Sequence, residues 1–231
     1  MKTIGIIGGI GPESTVEYYR AIIAFYTERM PDGSYPPVII NSIDLQKLMG
    51  FFAGNEQEQV VEYLSDEIQK LAKAGVEIGL IAANTPHMVF DEIQRQSPIP
   101  LISIVQATRN AVKGLGLNKV ALFGARFTMQ GRFYPNVFSE AGIDIAVPDE
   151  TEQAFIHRIY FEELVKGVVL PATREQLLNI VEKMKNHDGI QGLILGGTEL
   201  SLILREPTAR GIPVLDTTRI HAKAIVMEAL S

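Results

Sequence analysis

Thr3-Ile4-Gly5-Ile6-Ile7-Gly8-Gly9-Ile10-Gly11-Pro12-Glu13-Ser14-Thr15 is the stretch on which the fold turns. A short β-branched run ended by a glycine cluster reads as a buried strand over residues 3–7 that stops in a tight turn. From residue 14 to about 30, Tyr18, Ile22 and Tyr26 recur every fourth residue, the spacing of a helix with one buried face. Strand, glycine turn and helix together form the opening unit of an α/β fold.

The same alternation runs outward along the chain. Apolar runs predict strands over 37–42, 78–82, 100–104, 119–123, 143–147, 192–195 and 212–215. Amphipathic stretches predict helices over 57–74, 88–96, 129–141, 152–165, 174–185 and 219–229. Continuously apolar strands separated by helices imply parallel sheets covered on both faces. The order also repeats. The Ile4-Gly5-Ile6-Ile7-Gly8 pattern returns at Val120-Ala121-Leu122-Phe123-Gly124, Ala83 aligns with Gly197, and Ile99-Pro100-Leu101-Ile102 returns at Ile212-Pro213-Val214-Leu215. The expectation is an α/β fold of two pseudo-symmetric lobes, each a parallel sheet flanked by helices, with an interdomain cleft as the site. Residues 1–105 with about 217–231 form one lobe and 106–216 the other, with a linker near 106–117.

Composition narrows the function. The 231 residues are 46% hydrophobic and 21% charged with net charge −6, which excludes a mainly disordered chain. With 21 basic against 27 acidic residues and no basic stripe, nucleic acid and anionic membrane are not expected partners. Cysteine is absent, which excludes disulfides, thiolate metal sites and cysteine nucleophiles. The four histidines have no ligand spacing and no lysine sits in a Schiff-base context, so no metal and no cofactor is expected. No apolar run approaches the roughly 18 residues of a membrane span, and glycines break the N-terminal run, so the reading is a cytoplasmic protein.

Four loops follow predicted strands. The first, around Gly9 and Ile10, has Ser14 where the dinucleotide pattern needs its third glycine, and Pro12 removes an amide donor. A tight turn, with Ser14 or Thr15 capping the helix start, is the simpler reading. The second is Ala83-Asn84-Thr85-Pro86-His87. Its amide and hydroxyl suit a carboxylate, or Asn84 is a turn residue and Thr85 a helix cap before Pro86. His87 is a candidate base or a structural histidine in a first helical turn. The third carries Arg126 and Thr128. The fourth, Gly196-Gly197-Thr198-Glu199-Leu200, mirrors the second, with Glu199 a second candidate base or a helix-start carboxylate.

Taken in order, these motifs resemble the cofactor-independent aspartate/glutamate racemase family over essentially the whole chain, including Asp216-Thr217-Thr218 and His221. The resemblance implies an interdomain active site, a homodimer, and a small amino acid or dicarboxylate with an acidic side chain as substrate. It also implies two cysteines, one on each face of the substrate, that exchange the α-proton. Those positions are Ala83 and Gly197 here, and neither side chain titrates. Gly9, Ile10, Asn84, Thr85, Thr128 and Thr198 remain as expected binding residues. Three readings follow: a racemase scaffold that is weak or inactive, a related lyase or isomerase using His87 or Glu199, and a binding protein for an acidic amino acid or dicarboxylate without chemistry.

Overall fold

The computed structural model describes residues 1–54 and 56–231. It runs β1 (Ile4–Gly8), α1 (Pro12–Thr27), β2 (Val38–Ser42), α2 (Leu45–Ala53), α3 (Gln57–Lys73), β3 (Ile78–Ile81), a 3-10 turn (Thr85–Val89), α4 (Phe90–Gln96) and α5 (Ile104–Gly114). It continues with β4 (Lys119–Gly124), α6 (Arg126–Gln130), α7 (Phe133–Ser139), β5 (Asp144–Ala146), α8 (Glu150–Glu162), a 3-10 turn (Leu164–Lys166) and α9 (Pro171–Asp188). Then come β6 (Leu193–Gly196), α10 (Leu200–Ile203), β7 (Thr208–Ala209), β8 (Ile212–Asp216) and α11 (Thr217–Leu230). The chain divides into two compact units, Met1–Ile104 with Thr218–Ser231, and Val105–Thr217.

The first unit holds a parallel sheet in the order β2-β1-β3, with Ile4 opposite Val38 on one side and Ile78 on the other. Every residue of β1 is buried, because helices cover both faces. Ile4 and Ile6 pack with Tyr18 and Ile22 of α1 and with Ile225 and Val226 of α11. Ile7 packs with Val60, Leu64 and Ile68 of α3 on the other face. Gly5 points to that second face, where a Cβ would stand 2.6 Å from Val76. Its missing side chain is what lets the chain after α3 lie against the sheet.

The second unit repeats the plan. Its sheet runs β5-β4-β6-β8-β7, parallel except for the short β7, and α8 and α9 cover Ala121, Phe123, Leu193 and Leu195 with Ile156, Ile159, Leu177, Val181 and Met184. Each sheet therefore begins with its first strand in the middle, its second outside, and its third on the opposite side.

Several expected elements differ. Residues 100–104 form no strand: Leu101 makes a single bridge to Gly79, held by Gly79 N–H to Pro100 O and Ile102 N–H to Gly79 O, both 2.9 Å. Pro98 and Pro100 have no N–H to extend the ladder. The expected linker at 106–117 lies mostly in α5, whose buried Ile104, Thr108 and Val112 recur every fourth residue. The helix expected over 129–141 is two helices, α6 and α7, parted by Gly131, which takes an extended ψ of 150°. A Cβ at Gly131 would sit 2.6 Å from the Phe127 carbonyl. Helix α2 was not anticipated; Asp44 caps it by accepting the backbone N–H groups of Gln46 and Lys47.

Candidate functional site

At the carboxyl end of β1 the chain turns through Gly9 at φ 82° and Gly11 at φ 55°, both left-handed. A Cβ at Gly9 would collide with the backbone of Ile43. Helix α1 then starts with Pro12 in its first turn and no side-chain cap. The expected capping by Ser14 or Thr15 does not occur. Both side chains turn inward instead. Thr15 Oγ1 accepts the Gly9 N–H at 2.9 Å and donates to the Gly11 carbonyl, while the Ser14 hydroxyl donates to the Ala82 carbonyl at 3.2 Å. Ser14 thus ties the first turn of α1 to the residue just after β3, the neighbour of β1 in the sheet. The loops carrying Gly9 and Ile10 and carrying Ala83, Asn84 and Thr85 lie side by side at the carboxyl end of one sheet. Asn84 is buried, whereas Ile10 and Thr85 remain partly exposed.

Behind the second loop lies a buried polar cluster. His87 Nδ1–H donates to the Ala83 carbonyl at 2.9 Å, and His87 Nε2 accepts the Ile104 N–H at 3.2 Å. His221 Nε2–H donates to the Ile102 carbonyl at 2.7 Å, and its Nδ1 accepts the Tyr18 hydroxyl at 2.8 Å. These partners assign one neutral tautomer to each ring. Burial, and then the neighbouring His221, push His87 down to about 3; burial pushes His221 down to about 4. All the ring nitrogens are engaged. His87 is therefore a strut under the Ala83–Thr85 loop, and the geometry does not offer it as a base.

In the second unit the loops after β4 and β6 are likewise neighbours in their sheet. Thr128 is buried over the strand ends: Cβ atoms added at Gly124 and Gly196 would stand 3.1 Å and 3.0 Å from its side chain. Gly197 follows β6, and a Cβ there would stand 2.5 Å from Tyr160 Cε2 and 3.3 Å from the Tyr160 hydroxyl. Thr198 donates its hydroxyl to Glu199 Oε2 at 2.6 Å, and the Tyr160 hydroxyl donates to the same oxygen. Glu199 and Tyr160 are both buried. Burial, then the charge of Glu199, holds the Tyr160 phenol well above its ordinary range.

Tyr160 was absent from the sequence-derived candidates. It lies within helix α8, far in sequence from β6, beside Ile156 and Ile159 on a face that reads as core. The only available signal was indirect: a glycine at position 197 leaves room that something else must fill. A groove of about 390 Å³ along α3 and α4 has apolar Val61 and Val89 in its lining and Glu58, Glu62, Asp66 and Glu92 around them. None of the candidate residues lines it, and its carboxylates would repel an anion. Among the described residues, no three His, Asp or Glu side chains come together as a metal ion requires. No helix among the described residues is long and apolar enough to cross a membrane.

Known proteins share this design. Residues 7–225 match the family model of Asp/Glu/hydantoin racemases. The chain is 25% identical over 238 residues to the broad specificity amino-acid racemase RacX of Bacillus subtilis (strain 168), covering 99% of this chain and 98% of that one. The crystal structure of PH1733, an aspartate racemase homologue from Pyrococcus horikoshii OT3, superposes with a TM-score of 0.88 at 36% identity over 100% of both chains. The Picrophilus torridus aspartate racemase, 22% identical, shares the fold with a TM-score of 0.78 over 99% of this chain and 94% of that one. The chain belongs to the Asp/Glu/hydantoin racemase family.

Proposed function

We propose that this family member holds a small amino acid or dicarboxylate with an acidic side chain at its carboxyl-end loops, and racemises it very slowly or not at all. Asn84 and Thr85 at the carboxyl end of the first sheet are the neutral donors for the ligand's α-carboxylate, with Gly9 and Ile10 beside them. Thr128 and Thr198 are the binding residues that the family resemblance assigns to the loops of the second sheet. The name of RacX supports an amino acid as ligand, and that of the aspartate racemase homologue supports an acidic one.

One observation carries the low rate. The family resemblance assigns proton transfer to positions 83 and 197, where this chain has a methyl group and no side chain at all. Each acid–base group of this kind is worth roughly 10²–10⁴ in rate. We further propose a cofactor-independent cytoplasmic homodimer; a monomer by light scattering across micromolar concentrations would remove the dimer.

Calorimetric titration with both enantiomers of aspartate and glutamate tests the ligand reading. Thr85→Ala is the cleaner variant, because Thr198→Ala also strips a hydrogen bond from Glu199. Losing one hydrogen bond to a charged ligand costs about 1.5–3 kcal/mol, so Kd rises about 10- to 150-fold. An unchanged Kd in both variants rejects these threonines as ligands.

A further inference from the structure

Gly197 and Tyr160 are two halves of one arrangement. The phenol ring fills the space into which a side chain at position 197 would project, and its hydroxyl lies 3.3 Å from where that Cβ would stand. The hydroxyl is bound to the Glu199 carboxylate, which also accepts from Thr198. Among the described residues, no Lys, Arg or His forms an ion pair with Glu199, although its side chain is buried. A buried carboxylate without a cation is costly, and such groups concentrate where proton transfer is needed. A glutamine would serve packing alone at lower cost.

We propose that the Tyr160 phenol, backed by Glu199, is the acid–base group of the β6 loop and exchanges the Cα proton of a bound acidic amino acid from one face only. This rests on the reading that these loops hold such a ligand. As the Cα–H bond breaks, its electron pair moves into the ligand's α-carboxylate, giving the enediolate. The proton goes to the phenol oxygen while the phenol's own proton passes to Glu199. The reverse steps return a proton to the same face, and one that has exchanged with solvent there brings deuterium to carbon in D2O. Ala83 offers no group to complete inversion, so configuration is retained.

The experiment incubates the protein in D2O with L- and D-aspartate and L- and D-glutamate. It follows Cα–H loss by proton NMR, configuration by chiral chromatography and affinity by calorimetry. The expected result is deuterium entry into one enantiomer without its mirror image appearing. Tyr160→Phe then lowers that exchange at least about 100-fold, while Kd changes by less than tenfold and the thermal midpoint shows a folded protein. Glu199→Gln lowers exchange similarly. A merely structural phenol would leave the exchange rate per bound ligand unchanged, which overturns the proposal. Binding by the parent protein without exchange overturns it alone, whereas failure to bind any of the four overturns the ligand reading and this inference with it.

Discussion

A hydrogen atom at position 197 is explained by the ring beside it. Because a Cβ there would stand 2.5 Å from Tyr160, Gly197→Cys overpacks the β6 loop and is expected to lower stability by about 1–3 kcal/mol. Tyr160→Ala opens a cavity and is itself destabilising, by about 3–5 kcal/mol on the scale of buried aromatic truncations. The two together should cost clearly less than their sum, since one makes room for the other. Urea denaturation of the two single variants and the double gives the coupling, and additive values would mean that the ring moves aside freely. The histidines make a second prediction at this scale. His87 and His221 titrate near 3 and 4 when folded, below the roughly 6.5 of an unfolded histidine. The unfolded chain therefore binds more protons below pH 6.5. Their stabilising effect is fully present above that pH and is lost progressively down to the folded values, at up to about 1.4 kcal/mol per pH unit for each ring. The thermal midpoint should fall between pH 6.5 and 4, and His221→Gln, less stable at pH 7, should show a shallower fall. Equal slopes in both proteins would remove the histidines as the cause.

At the scale of elements, the loop after β1 is the most demanding joint. Gly9→Ala forces a Cβ into the Ile43 backbone at a left-handed φ, and the expected loss is about 1–3 kcal/mol. Ser14→Ala removes only the tie to the Ala82 carbonyl, for which about 1 kcal/mol is expected. A thermal-unfolding comparison that ranked the two alike would contradict this account of the turn. The strand–glycine–helix order was legible because a buried parallel strand leaves a continuous apolar run and its exit needs glycine. Less legible was anything set by partners distant in sequence. Ser14 and Thr15 look like caps, and only the adjacent β3 end and the Gly9 amide show why they turn inward. Residues 100–104 have the apolar character of a strand, but Pro100 and the nearby Pro98 lack the donors of a ladder. The spacing of Ile104, Thr108 and Val112, every fourth residue, is that of a helix face, where a linker was expected. Tyr160 was hidden for the same reason: its partner is a glycine on another element, and a glycine carries no pattern of its own.

For the molecule as a whole, racemisation requires one group to take the α-proton and a second to return one to the opposite face. The family resemblance assigns this work to positions 83 and 197, which are Ala83 and Gly197 here. Water entering either place lacks fixed geometry and a pKa near neutrality. The parent chain is therefore expected to interconvert L- and D-aspartate or glutamate at no more than a trace rate, measured by chiral chromatography on freshly purified protein. Ala83→Cys alone gives the Tyr160 phenol a partner group for the other face and is expected to raise racemisation above the parent's trace rate, though below that of two thiols. Restoring Gly197→Cys alone is handicapped by the Tyr160 ring, so the paired thiols need Tyr160→Ala beside them to stand in an unstrained loop. Groups that act as a unit give grossly non-additive effects. The variant with both cysteines and the smaller residue 160 should thus exceed the product of the separate gains, provided that urea denaturation shows it folded. A parent protein that racemises rapidly would overturn this account, because proton transfer on both faces would then require groups other than side chains at positions 83 and 197.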